Sequence, residues 1–287
     1  MNTSSLEAGL AENEKLILVF YTAVAVVGLL IDALFVVFLS RRSLRWREHL
    51  SRFYWRPWGD AEAIALFAIL VCSLDLISRF QAQIALIIER LGISIDSGLT
   101  VLQGLVFYLA GTLLVAAWLL WKKISWSSAF GISIWRLPQS AAQGVVLLLG
   151  TMPILFFYTL IYHVGLKFFG QEPSLQDVAF AISEETSAVM RVYFFVLAVV
   201  IAPCFEEILF RGIAMPVLAK RIGASAAVLI TSVIFAILHW HVPSLVPLFI
   251  LSIGLSLAYI YTESLLVPMV MHSLFNFVSV TFLFTAQ

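Results

Sequence analysis

The chain has 287 residues, of which 62% are hydrophobic, 14% aromatic and only 12% charged, with zero formal net charge and a mean hydropathy of +1.01. A soluble domain carries about 25% charged residues, so a soluble globular fold is excluded, and the neutral balance offers nucleic acid no basic footprint. The chain reads as an integral membrane protein.

Residues 1 to 15 hold Glu7, Glu12, Glu14 and Lys15 in place of a basic leader, so the first apolar run is expected to be a retained span. Crossing a ~30 Å hydrocarbon core takes about 20 residues as a helix. Spans are expected near 16–39, 62–78, 99–121, 141–166, 192–216, 224–241, 245–262 and 264–284, the last four interrupted by Pro203, His239, Pro247, Pro268 and His272. The apolar runs are continuous, without the alternation of a membrane barrel. The expectation is one all-α polytopic domain of about eight transmembrane helices.

Between the first two spans, Arg41, Arg42, Arg45, Arg47, Arg52 and Arg56 are interleaved with Trp46, Phe53, Tyr54, Trp55 and Trp58. That mixture suits a basic loop at headgroup depth. With the N-terminus outside, 12 of the 17 Lys and Arg residues fall on the cytoplasmic side, as the orientation rule favours. Residues 168–190 form the longest polar connection, expected outside. The two cysteines, Cys72 and Cys204, both lie in apolar runs and read as buried thiols rather than a disulfide.

Polar chemistry divides the chain into 1–190, helices with the basic-aromatic loop, and 191–287, where ionisable groups gather. In the first part Asp32 stands alone, and Asp75 and Arg79 are four apart, a neutralising pair on a helix surface. The second part holds Glu206, Glu207, Arg211, His239, His241, His272 and Asn276 in apolar surroundings. Such groups are costly in hydrocarbon and mark a function. Residues 206 and 207 point about 100° apart around a helix. Glu207 and Arg211 are spaced for an ion pair with the acid on the favourable N-terminal side. Glu206 is left without a partner in its own helix, as a general base requires. Pro203 removes a backbone bond just before the two acids. Phe235 and His239 share one helix face, and so do His272 and Asn276, two neutral polar groups able to aim at one point. His241, beside Pro243, reads as a capping or interfacial residue.

These three pairs resemble, in order, the EExxxR, FxxxH and HxxxN motifs of the CAAX protease and bacteriocin-processing (CPBP, or Abi) family, over about residues 190–284. The resemblance implies a glutamic-type intramembrane endopeptidase with no metal and no other cofactor. In it Glu206 activates a water, His239 holds the same water, and His272 with Asn276 forms the oxyanion site. Glu207, Arg211 and Phe235 support them. The partners implied are a membrane-anchored peptide or protein substrate and the lipid bilayer, and the lack of organelle signals favours a prokaryotic plasma membrane. A transporter or proton relay, a non-catalytic peptide-binding or immunity protein, and a zinc protease using His239, His241, His272 and Glu206 are the alternatives. Counting from the expected span ends sets Glu206 nearer the cytoplasmic face and His239 nearer the other, although the chemistry needs them together.

Overall fold

The structure is a computed structural model and describes residues 19–34, 37, 49, 53–90, 95–171 and 187–285. Among these residues the regular structure is helical, with no strand. Eight helices carry the architecture: α1 (Val19–Leu34), α2 (Asp60–Arg79), α3 (Val101–Lys122), α4 (Leu137–Phe168), α5 (Ala188–Ile222), α6 (Ala224–Ile237), α7 (Leu245–Thr262) and α8 (Leu266–Thr285). Short helices at Gln81–Arg90 and Trp126–Phe130 lie between them. The protein is an integral, multi-pass membrane protein with, among the described residues, five helices long and apolar enough to cross a bilayer: 60–79, 101–122, 134–168, 188–222 and 242–262. The other three expected spans correspond to the shorter apolar helices 19–34, 224–237 and 266–281.

Helix α6 packs along both α5 and α7, and α4 packs along α7 and α8. One apolar core joins the two parts of the chain, running from Phe53, Trp58, Leu66 and Leu70 through Val115 and Phe130 to Phe205, Phe235 and Tyr259.

Helix α5 begins at Ala188, capped by Ser187, and continues to Ile222 instead of spanning 192–216. It is not a uniform α-helix. Residues Leu197–Ile201 and Ile208–Ala214 wind as π-helix, and each stretch ends two residues before a proline, Pro203 and Pro216. A proline cannot donate to the carbonyl four residues back, so the ladder widens just ahead of it, as π turns do at functional sites. The chain then reverses at Gly223, whose φ of 85° is costly for any residue with a Cβ.

That longer helix removes the conflict of depth. Glu206 lies 17 residues before Gly223 and His239 lies 16 after it, so both sit at similar distances from the same turn. Lys220 donates to the carbonyls of Arg56 and Trp58, and Arg56 to that of Glu263, so the ends of α5 and α7 meet on one side. Counted from there at ~1.5 Å per residue, Phe235, Ser252 and His272 lie about 13–18 Å along their helices from that end.

Within the basic-aromatic loop, Phe53 and Trp58 are buried against the protein: Trp58 stacks on Trp118 at 4.1 Å between ring centres and meets Phe130 at 5.6 Å. The Tyr54 hydroxyl accepts from the Ala224 amide at the start of α6. Only an N–H left over at a helix start needs such a partner. Trp55 alone of the four described aromatics is strongly exposed. Trp46 and Arg41, Arg42, Arg45, Arg47 and Arg52 lie outside the described residues, as do 172–186 of the polar connection. Asp75 and Arg79 form the expected pair at 2.6 Å. Cys72 is exposed and Cys204 partly buried, both as free thiols.

Candidate active site

The two adjacent acids on α5 have opposite surroundings. The Glu207 side chain is fully buried, whereas Glu206 keeps 17% of its surface. Glu207 Oε1 accepts from Arg211 NH1 at 2.7 Å and from His272 Nδ1 at 3.0 Å. Arg211, also fully buried, turns its other terminal nitrogen to α7, donating to the Ser252 hydroxyl at 2.6 Å and the Ser252 carbonyl at 3.2 Å. A buried charge demands such partners. The expected ion pair is present, and it fastens α5 to α7 and α8 together.

His272 comes from α8. A carboxylate can only accept, so the Nδ1–H of His272 donates to Glu207 and the ring is fixed with Nε2 on the far side. Nε2 then faces Glu206 Oε2 at 3.9 Å. One oxygen atom beside that gap can bond to both at the usual ~2.8 Å. A carboxylate, an imidazole and a second carboxylate therefore stand in line, the first sealed and the last reachable.

His239 lies just beyond α6, in a turn that ends the helix at Ile237, and not inside a span to 241. Its Nδ1–H donates to the Phe235 carbonyl at 2.7 Å, which satisfies a helix-end acceptor and leaves Nε2 as the acceptor nitrogen. His239 has no direct bond to Glu206. The link is Phe235, fully buried, whose ring lies 4.7 Å from His239, 5.6 Å from His272 and 4.7 Å from the Arg211 guanidinium. The second motif thus packs against the other two at a single ring. Asn276, one turn beyond His272, donates to the Ala198 carbonyl at 2.8 Å, within the first π stretch of α5. An amide nitrogen carries two hydrogens, so one remains for another acceptor. His241 bonds the Ser244 hydroxyl at 2.7 Å and occupies the N-cap position of the short helix Val242–Ser244. Among the described residues no group of three or more His, Cys, Asp and Glu is arranged to hold a metal ion.

One neighbour of Glu206 has no counterpart in the sequence reading. The Tyr108 hydroxyl, on α3, stands 3.5 Å from Glu206 Oε1. It lies in a third π stretch, Leu105–Ala110, set between Gly104 and Gly111. No spacing rule connects residues 98 apart, and a tyrosine in an apolar run looks like core, so only that stretch of unusual winding marks it in the fold.

Fold and site define a class: a polytopic helical membrane protein whose C-terminal part holds a reachable acid facing one imidazole, a second imidazole packed against the same Phe235 ring, and an amide one turn along α8. Residues 188–278 match the family described as Rce1-like, type II CAAX prenyl endopeptidase Rce1-like, which agrees with the family that the three motifs resemble. The matched stretch contains Glu206, Glu207, Arg211, Phe235, His239, His272 and Asn276. No curated protein and no solved structure matches the chain.

Proposed function

We propose that the protein is an intramembrane endopeptidase that hydrolyses a peptide bond in a membrane-associated peptide through a water activated by Glu206. One observation carries this reading: of two adjacent acids, Glu206 alone is reachable, and its Oε2 faces an imidazole whose far side is held by the buried Glu207.

Glu206 takes a proton from the water as its oxygen attacks the carbonyl carbon of the scissile bond. A base so placed contributes about 10²–10⁴-fold. The acceptor nitrogen of His239, fixed by the bond to Phe235, receives the second O–H of that water. His272, when both ring nitrogens carry protons, donates through Nε2 to the developing oxyanion while Glu207 keeps Nδ1. The spare hydrogen of Asn276 is the second donor. Donors fixed in a dry site stabilise this charge without reorganising. The proton on Glu206 then passes to the leaving amine.

In this reading all eight labelled helices cross the bilayer with the N-terminus outside. Residues 191–287 bear the catalytic helices and 1–190 frame them in one membrane domain. The substrate is a membrane-anchored peptide, prenylated or precursor, and the host is a prokaryotic plasma membrane. The mechanism uses no metal.

The test is cleavage of a panel of prenylated and other membrane-anchored peptides by purified protein in nanodiscs, with and without a zinc chelator. Glu206→Gln is expected to lower cleavage at least ~100-fold with folding and insertion unchanged, and the chelator to have no effect. Retained cleavage in the variant defeats the glutamate mechanism, and chelator-sensitive cleavage moves the reading to a metal protease. Peptide binding without cleavage by either protein makes it a binding module.

A further inference from the structure

Helix α3 lies outside the family match, yet among the described residues it supplies the one hydroxyl that addresses Glu206. Tyr108 is held there by packing on several sides. Its ring meets Phe205 edge-on at 5.9 Å and Phe107 at 5.2 Å, and Phe107 in turn meets Phe205 at 5.5 Å. Phe205 is the residue next to Glu206, and it is buried against Gly111 of α3. A Cβ on Gly111 would stand 2.4 Å from its ring, so only glycine admits that ring. Further along, the Tyr193 hydroxyl of α5 donates to the Val101 carbonyl of α3 at 3.3 Å. The register of α3 against α5 is therefore fixed on both sides of Tyr108.

The two oxygens of Glu206 then have different neighbours. Oε1 faces the Tyr108 hydroxyl and Oε2 faces His272 Nε2. A phenol donates and a carboxylate accepts. The separation is longer than the ~2.7–2.8 Å of a formed O–H···O bond, as contacts of a resting site commonly are before substrate tightens them. Glu206 has no other hydrogen-bonding neighbour among the described residues. Without this hydroxyl no other described residue holds the carboxylate plane in the orientation that offers Oε2 to a water beside His272.

We infer that Tyr108 is a positioning residue for Glu206: its O–H holds Oε1, so that Oε2 is presented as the base, and the site is completed by α3 from outside the matched segment. This rests on the proposed endopeptidase reading.

The test measures cleavage kinetics and thermal unfolding of the full chain, comparing wild type, Tyr108→Phe, Tyr108→Leu and Glu206→Gln. Tyr108→Phe keeps the ring contacts and removes only the hydroxyl. It is expected to lower kcat about tenfold, the loss of one hydrogen bond to a charged group, with KM within about twofold and the unfolding midpoint unchanged. Tyr108→Leu, which also removes the ring, is expected to show the same kcat loss with a lower midpoint. A purely structural role predicts the reverse, with full kcat in Tyr108→Phe and a loss only in Tyr108→Leu. The inference is overturned if Tyr108→Phe has kcat within about twofold of wild type, or a changed KM with kcat intact. Glu206→Gln separates the two ideas. If it still cleaves, the glutamate mechanism has failed; if it is silent while Tyr108→Phe is fully active, the role of Tyr108 alone has failed.

Discussion

Asp75 with Arg79 and Glu207 with Arg211 are the same device at the level of sequence: an acid, three residues, an arginine. Both close as ion pairs, at 2.6 and 2.7 Å. On α2 the partners keep 56% and 71% of their side-chain surface, on α5 none. Exposed pairs contribute about 0–1 kcal/mol, because water or headgroups serve either charge as well. A buried pair has nowhere else to turn, so Arg211 also binds Ser252 and Glu207 also binds His272. Spacing decides that a pair forms; burial decides that other groups are organised around it.

Removing Arg211 tests that contrast most severely. Arg211→Ala leaves Glu207 charged and enclosed and is expected to cost about 3–5 kcal/mol, read as a large fall in the unfolding midpoint at fixed scan rate together with loss of cleavage. Replacing both partners, Glu207→Leu with Arg211→Met, is expected to recover most of the midpoint but no activity, since His272 loses the oxygen that fixes its ring. A double variant that cleaves normally would break the link between this pair and the site. Lys220 lies between the extremes, with its charge partly exposed and its bonds made to the Arg56 and Trp58 carbonyls. Lys220→Met is expected to cost about 1–2 kcal/mol, with kcat retained. Arg79→Ala is expected to change stability by less than about 1 kcal/mol and cleavage not at all. A fall as large as that of Arg211→Ala would show that this outer pair is sealed in the membrane by something its exposure does not reveal.

The parts legible in the sequence were those that act over one helical turn. Continuous apolar runs announced the helices, and the spacings 207/211, 235/239 and 272/276 announced which groups share a face. The unpartnered state of Glu206 within its own helix followed from the same geometry. The length of α5 was not legible, because its π turns carry the helix past Pro203 and Pro216 to Gly223, where a proline count suggests an earlier end. That error of a few residues was enough to set Glu206 and His239 at different depths. His239 was placed within a helix because nothing in "FAILHWH" distinguishes a last turn from the turn after it. The packing of the loop at 53–58 was not legible for a different reason: Trp and Tyr beside Arg have one composition whether they face headgroups or protein, and the stacking of Trp58 on Trp118 depends on tertiary contact. Tyr108 depends wholly on tertiary contact.

The Tyr54 hydroxyl on the Ala224 amide, the Lys220 bonds to Arg56 and Trp58, and the seat of Phe205 on Gly111 all run from the first part of the chain into the segment that bears the motifs. The motif-bearing helices are consequently not a portable cassette. Grafted onto another set of helices, they would carry every motif residue along and still arrive with an uncapped α6, an unanchored α5 and Phe205 facing a side chain where this protein keeps a glycine.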